Sequence, residues 1–258
     1  MADIYFSGQG VVHLATRDGS GNATIFRDIG NVPALRLTLE TDILDHKESR
    51  TGNRLTDLRL QREKRVNITM TLESWSKANL MMLLYGTSSS VIAGTVSAEV
   101  FPTGLAVGDS VALNFPLVNA WTSLVDSTPT TPATLVNGTD YKIDKNSGMV
   151  TILNLGSYTQ PFKANYTYFG EDVVPFFRTG QTERFLRFSG LNTANSNKPV
   201  IVELYRVVFD PVGTLDLINN EFAQFEVAGS VLYDSTRNDA DTAGVLGGFG
   251  RIIQVPVT

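Results

Sequence analysis

The feature that most constrains this chain is an alternation of apolar and polar side chains, in two runs that flank a charged stretch. Leu35-Arg36-Leu37-Thr38-Leu39-Glu40 repeats with period two, as a half-buried strand does. Val66, Ile68, Met70 and Leu72 then share one side, with Asn67, Thr69, Thr71 and Glu73 on the other. Between the runs lies Thr41–Asp57, TDILDHKESRTGNRLTD, read as a long polar loop. A short apolar helix over Trp75–Tyr85 follows, with Ser74 as N-cap and Gly86 as its stop. Trp75, Leu80, Leu83 and Leu84 form its core stripe, and Lys77 and Asn79 its small polar surface. The pattern predicts two antiparallel strands joined by a long loop, with a helix on their apolar face.

Bulk composition narrows the function. The 258 residues include no cysteine, which removes disulfide frameworks and thiolate metal sites. The N-terminus lacks a basic region followed by an apolar run, so no signal peptide is expected, and synthesis in the cytoplasm is. No apolar run is long enough to suggest a membrane span. Net charge is −5, distributed as +1 over residues 1–94 (11 basic, 10 acidic), −2 over 95–170 (3 and 5) and −4 over 171–258 (7 and 11). No segment carries the clustered Lys and Arg of a nucleic-acid clamp.

In chain order, residues 5–33 read as an extended arm with Val11–Ala15, a turn at Asp18–Gly21 and a strand through Ile25-Phe26. Gly8-Gln9-Gly10 lacks the third glycine and flanking elements of a dinucleotide fingerprint. His46, beside Asp45 and Glu48, has no spaced second His or Cys to make a metal set. The basic run Arg59–Arg65 reads as a salt-bridge strip between subunits. Composition shifts after Gly94, and short strands are expected at Val96–Phe101, Val111–Phe115, Tyr141–Ile143, Val150–Leu153 and Phe162–Tyr168. Asp140, Asp144 and Asn146 lack the spacing of a calcium loop, and 144–148 reads as a hairpin turn with Gly148 at positive φ. Longer strands return at Glu183–Ser189 and Val200–Phe209, the latter buried on both faces at its end. Phe222, Phe225, Val227 and Val231 form a further strand, opposite Gln224 and Glu226. Asp239–Gly250 reads as a loop and Arg251–Val257 as a terminal strand. The expected architecture is mostly β: a discontinuous main domain, 1–94 and 171–258, with a small β-sandwich-like domain, 95–170, inserted in it.

No catalytic constellation emerges. The two histidines, His13 and His46, adjoin no nucleophile motif, and no Gly-x-Ser-x-Gly elbow, phosphate loop or His-Glu-x-x-His occurs. Nothing selects one carboxylate pair for glycosidase chemistry. No enzymatic activity, cofactor, metal or small-molecule substrate is expected.

The run Gly30–Gly86, with its Gly-Asn-Val-Pro arm, the phrase Glu48-Ser49-Arg50-Thr51-Gly52-Asn53-Arg54, the alternating strand and the helix ending Leu84-Tyr85-Gly86, resembles the tail tube proteins of long-tailed bacteriophages. The segment Gly138–Ile152 is similar to small virion domains. The resemblance implies a tail-tube β-sandwich or barrel with one short helix, whose copies form hexameric rings stacked into a tube. Long inner hairpins would line the bore, with DNA and a tape measure protein inside it. The virion tail is then the expected location. Asp42, Asp45, His46, Lys47, Glu48, Arg50 and Arg54 correspond to the ring-stacking loop, Asp42–Leu55. Lumen candidates are the polar faces: Arg36, Thr38, Glu40, Asn67, Thr69, Thr71, Glu73, Gln224 and Glu226. The alternative is another self-assembling or carbohydrate-binding β-sandwich of a virion surface.

Overall fold

The computed structural model describes residues 5–239 and 244–256. In chain order it contains β1 (Gly8–Thr16), β2 (Arg27–Asp28), β3 (Ala34–Lys47), β4 (Thr56–Leu72) and helix α1 (Lys77–Leu83). Nine short strands follow: β5 (Ser89–Val91), β6 (Gly94–Val100), β7 (Ser110–Ala112), β8 (Val118–Val125), β9 (Thr134–Leu135), β10 (Tyr141–Asp144), β11 (Met149–Ile152), β12 (Lys163–Tyr168) and β13 (Glu171–Val173). The chain ends with β14 (Glu183–Asn192), β15 (Lys198–Phe209), β16 (Phe225–Val231), α2 (Ser235–Asp239) and β17 (Gly250–Gln254). The fold is mostly β, and it divides into two compact units, 1–87 with 174–258 and 88–173.

The first unit is one antiparallel sheet, ordered β2-β1-β14-β15-β16-β4-β3, with β17 beside β16 on β15. Its apolar face gathers Val12, Leu14, Ile68, Met70, Leu72, Leu186, Phe225 and Val227, and Leu83 of α1 packs against them. The period-two pattern therefore places Ile68, Met70 and Leu72 inside, each at most 2% exposed. Val207, Val208 and Phe209 are buried in succession, so the end of β15 is covered on both faces. On the reverse face Ala15, Phe185 and Tyr205 form a smaller cluster. Ion pairs flank it: Arg17 reaches Glu183 and Asp234 at 2.6 Å each, and Glu203 lies between Arg187 (2.5 Å) and Arg251 (2.8 Å).

Several boundaries differ from those expected. The helix starts two residues later, with Ser76 as the cap accepting from the Asn79 amide. Trp75 lies ahead of it and is 54% exposed, its ring 5.4 Å from Phe225, so it is no part of a buried helical stripe. Leu83 is buried, while Leu80 and Leu84 are half-buried. Tyr85, at φ 49°, takes the left-handed position, and the Gly86 amide bonds to the Met81 carbonyl in a Schellman closure. Gly86 is required for space instead: a Cβ there would stand 2.6 Å from Val174 Cγ1. Ile25-Phe26 is not a strand, the pairing falling on Arg27-Asp28. Phe222 precedes β16 and is 93% exposed. Asp239 closes α2, residues 240–243 of the expected loop fall outside the described residues, and Val257 does too.

The largest correction concerns 41–57. The β3–β4 ladder runs on to Lys47↔Thr56, leaving only 48–55 as connection. Asp42, Asp45, His46 and Lys47 are strand residues, and only Glu48, Arg50 and Arg54 lie in the loop. Charged side chains conceal the strand because their partners stand on the facing strand, directly opposite or one residue away. Asp42 meets Arg62 at 2.6 Å, Asp45 meets Arg59 at 3.2 Å, and His46 meets Asp57 at 2.5 Å. Arg59, Arg62 and Arg65 of the basic run are thus paired within their own hairpin.

The second unit packs a three-stranded sheet, β10-β11-β7, and a four-stranded sheet, β6-β12-β8-β9, around one core that includes Leu124, Val150, Ile152, Phe162 and Tyr166. Strand β8 was hidden by its mixed composition, VNAWTSLV. Gly148 closes the β10–β11 turn at φ 68°, and the Asp144 carboxylate accepts from the Asn146 amide and the Ser147 hydroxyl. The Asp140 carboxylate serves a different turn, accepting from Val136 N, Asn154 Nδ2 and the Tyr158 hydroxyl.

Candidate assembly surface

The β3–β4 hairpin has two zones, separated by a bulge. In the proximal zone one face belongs to the core and the other is polar. Register places Arg36 beside Thr69, Thr38 beside Asn67 and Glu40 beside Arg65. It also sets Thr71 beside Glu226 and Asn67 beside Ser230. Glu73 and Gln224 lie just past the strand ends, joined at 2.9 Å, with Glu73 also accepting from Asn31 at 2.5 Å. Seven of the nine residues expected to line a bore therefore share one sheet face, with Glu73 and Gln224 beyond its strand ends. A cleft of about 510 Å³ sits on it, lined by Arg36, Thr71, Asp216 and Glu226 among others.

At Asp42/Ile43 the register shifts, with Arg62 as the extra residue on β4. Asp42 faces Glu63 across the ladder, a like-charge pair that would be destabilising alone. The extra residue relieves it: Arg62 bonds Asp42, and Arg65 bonds Glu63 at 2.5 Å. That carboxylate raises the Arg65 pKa further.

Beyond the bulge the same face turns apolar. Leu44 pairs with Leu60 and His46 with Leu58, and the three leucines are 49%, 54% and 63% exposed. Strand β16 reaches only to Val66, so this zone is a two-stranded ribbon. Such a ribbon is marginal on its own in water. Its tip is nevertheless ordered by Glu48, whose carboxylate accepts from the Arg50 amide (2.6 Å), the Thr51 amide (2.9 Å) and the Thr51 hydroxyl. Those bonds, the hydroxyl's foremost, lower the Glu48 pKa, and the His46 hydrogen bond does the same for Asp57. Gly52 and Arg54 supply the positive φ values of the turn.

Strand β3 is an edge: across its 14 residues it pairs, among the described residues, with β4 alone. On its core side the sheet leaves a cavity of about 610 Å³, lined by Val12, Leu35, Leu186 and Val202, with exposed Phe6 and Ile252 contributing to its wall. The apolar zone and this cavity were missed from sequence. Leu44, Leu58 and Leu60 were visible, but their common face depends on the bulge. No group of three or more His, Cys, Asp or Glu side chains stands together among the described residues. His13 lies on β1 and His46 on β3, so the two histidines do not converge.

One family model matches this chain, over residues 5–253, with the description Protein of unknown function UCP028589. No curated protein matches the sequence.

Proposed function

We propose that this chain, which belongs to the UCP028589 family of proteins of unknown function, is a structural subunit that assembles with copies of itself into the tube of a long-tailed phage tail. The observation that carries this reading is the β3–β4 hairpin: a 14-residue edge strand leading into a ribbon with an uncovered leucine face. Long exposed edges are an aggregation hazard unless something pairs with them, and a barrel shared among copies provides that partner. Six copies per ring, stacked axially, satisfy both the edge and the ribbon.

In this reading the face bearing Arg36, Thr38, Glu40, Asn67, Thr69, Thr71, Glu73, Gln224 and Glu226 lines the bore. It carries three carboxylates against one arginine among those nine residues. Such a lining repels phosphate and presents no reading head to bases, so DNA slides without adhering. A tape measure protein would occupy the same bore before ejection. Electron microscopy of the purified chain over a concentration series tests the reading. Hollow tubes or stacked six-fold rings are the expected outcome, and a monodisperse monomer at every concentration would overturn it.

A further inference from the structure

We infer that the connection 210–224 of one copy plugs the apolar cavity beside β15 in a second copy. The inference rests on the self-assembly reading but names a contact that the reading does not require. The connection joins β15 to β16 and is held near its start: the Val212 amide bonds the Leu83 carbonyl, and Val212 and Leu215 pack on the core. The next stretch then presents Leu217, Ile218 and Phe222 to solvent, 74%, 97% and 93% exposed. Ile218 and Phe222 are the most exposed large apolar side chains among the described residues. Exposed apolar surface concentrated in one short stretch is the kind that marks an interaction site.

The cavity has the matching character. Its volume of about 610 Å³ lies in the range of sites that enclose a group of side chains or a small ligand. Its apolar wall includes Val12, Leu35, Leu186 and Val202, and its polar lining includes Gln9 and Gln254. Charge agrees as well. Residues 210–224 hold Asp210, Asp216 and Glu221 and no Lys or Arg. Lys198 precedes Val200 and Val202 on the same face of β15, and it has no ion-pair partner among the described residues. An acidic loop with an apolar tip thus matches an apolar cavity with a lysine near it. Loop and cavity occupy different surfaces, the loop leaving the C-terminal end of β15 and the cavity flanking its N-terminal half. A contact between unlike surfaces of identical chains is heterologous, so it propagates from copy to copy instead of stopping at a dimer.

The chain has no cysteine, so engineered disulfides report this contact cleanly. Phe222→Cys and Gln254→Cys in one chain, oxidised with diamide, should give a ladder on a non-reducing gel that collapses on reduction. Phe222→Cys alone should stop at a dimer. Glu221→Lys should raise the concentration at half-assembly about tenfold, and adding Lys198→Glu should restore it. Assembly seen by light scattering without the ladder, and without the charge rescue, overturns the plug while leaving self-assembly intact. A chain that stays monomeric under all conditions overturns both.

Discussion

Asn79 shows how far one side chain's role can lie from its place in a pattern. On the helical stripe it counts as polar surface, yet it is fully buried. Its amide donates to the carbonyls of Ile29 (2.8 Å) and Ser74 (3.0 Å), and its oxygen accepts from Arg27 at 2.9 Å. Asn79→Ala would leave these groups unpaired in the interior, at a cost of about 3 kcal/mol. A lowered urea midpoint for the first unit's transition, with an unchanged slope, is the expected reading. Asp126 makes a pH-dependent contribution in the second unit. The Thr128 hydroxyl, followed by the amides of Thr159, Ala133 and Thr128, holds its pKa down from 3.8 to about 2. The folded value lies below the unfolded one, so the stabilisation is complete above about pH 4 and fades as pH falls towards 2. Asp126→Asn should flatten that part of the thermal stability profile, as calorimetry between pH 2 and 5 would show.

At the scale of the element, the β3–β4 hairpin decides between a solitary protein and an assembling one. Exposed leucines on its distal zone contribute little to a folded monomer, because each stays at least 49% exposed there. Replacing Leu44, Leu58 and Leu60 together by Ser should leave the melting temperature within a few degrees of wild type. The same variant should fail to form tubes, and sedimentation at matched concentrations would register the loss. The exposed ion pairs of the ribbon, such as Arg59–Asp45, are each worth no more than about 1 kcal/mol. They set register rather than strength. Shortening 48–55 to a two-residue turn should likewise preserve the fold and abolish ring stacking.

For the whole molecule, the two-unit division has a direct consequence. Strands β5 and β13 pair from Ser89↔Val173 to Val91↔Glu171, so the inserted unit enters and leaves through adjacent strands. Adjacent antiparallel partners lie roughly 5 Å apart, a gap that a short Gly-Ser linker spans. Excising 88–173 should yield a soluble first unit that still forms tubes under the electron microscope. Aggregation of that variant would show that the first unit's core depends on the insert. Each unit has its own apolar cluster, so the intact chain should melt in two calorimetric transitions.

Alternation by itself determined that the chain is mostly β, where Ile68, Met70 and Leu72 point, and that a short helix follows them. Those features depend on neighbours within a few residues, where period and capping are local properties. Tertiary structure alone decided that Asp42–Lys47 is strand, that Arg62 bulges and that Leu44, Leu58 and Leu60 share a face. It also decided that Asn79 is buried and that a cavity opens beside β15. Each of these requires a partner distant in the chain, such as Arg59 for Asp45 or Ile29 for Asn79. A charged residue paired across a ladder is indistinguishable in sequence from one solvated in a loop.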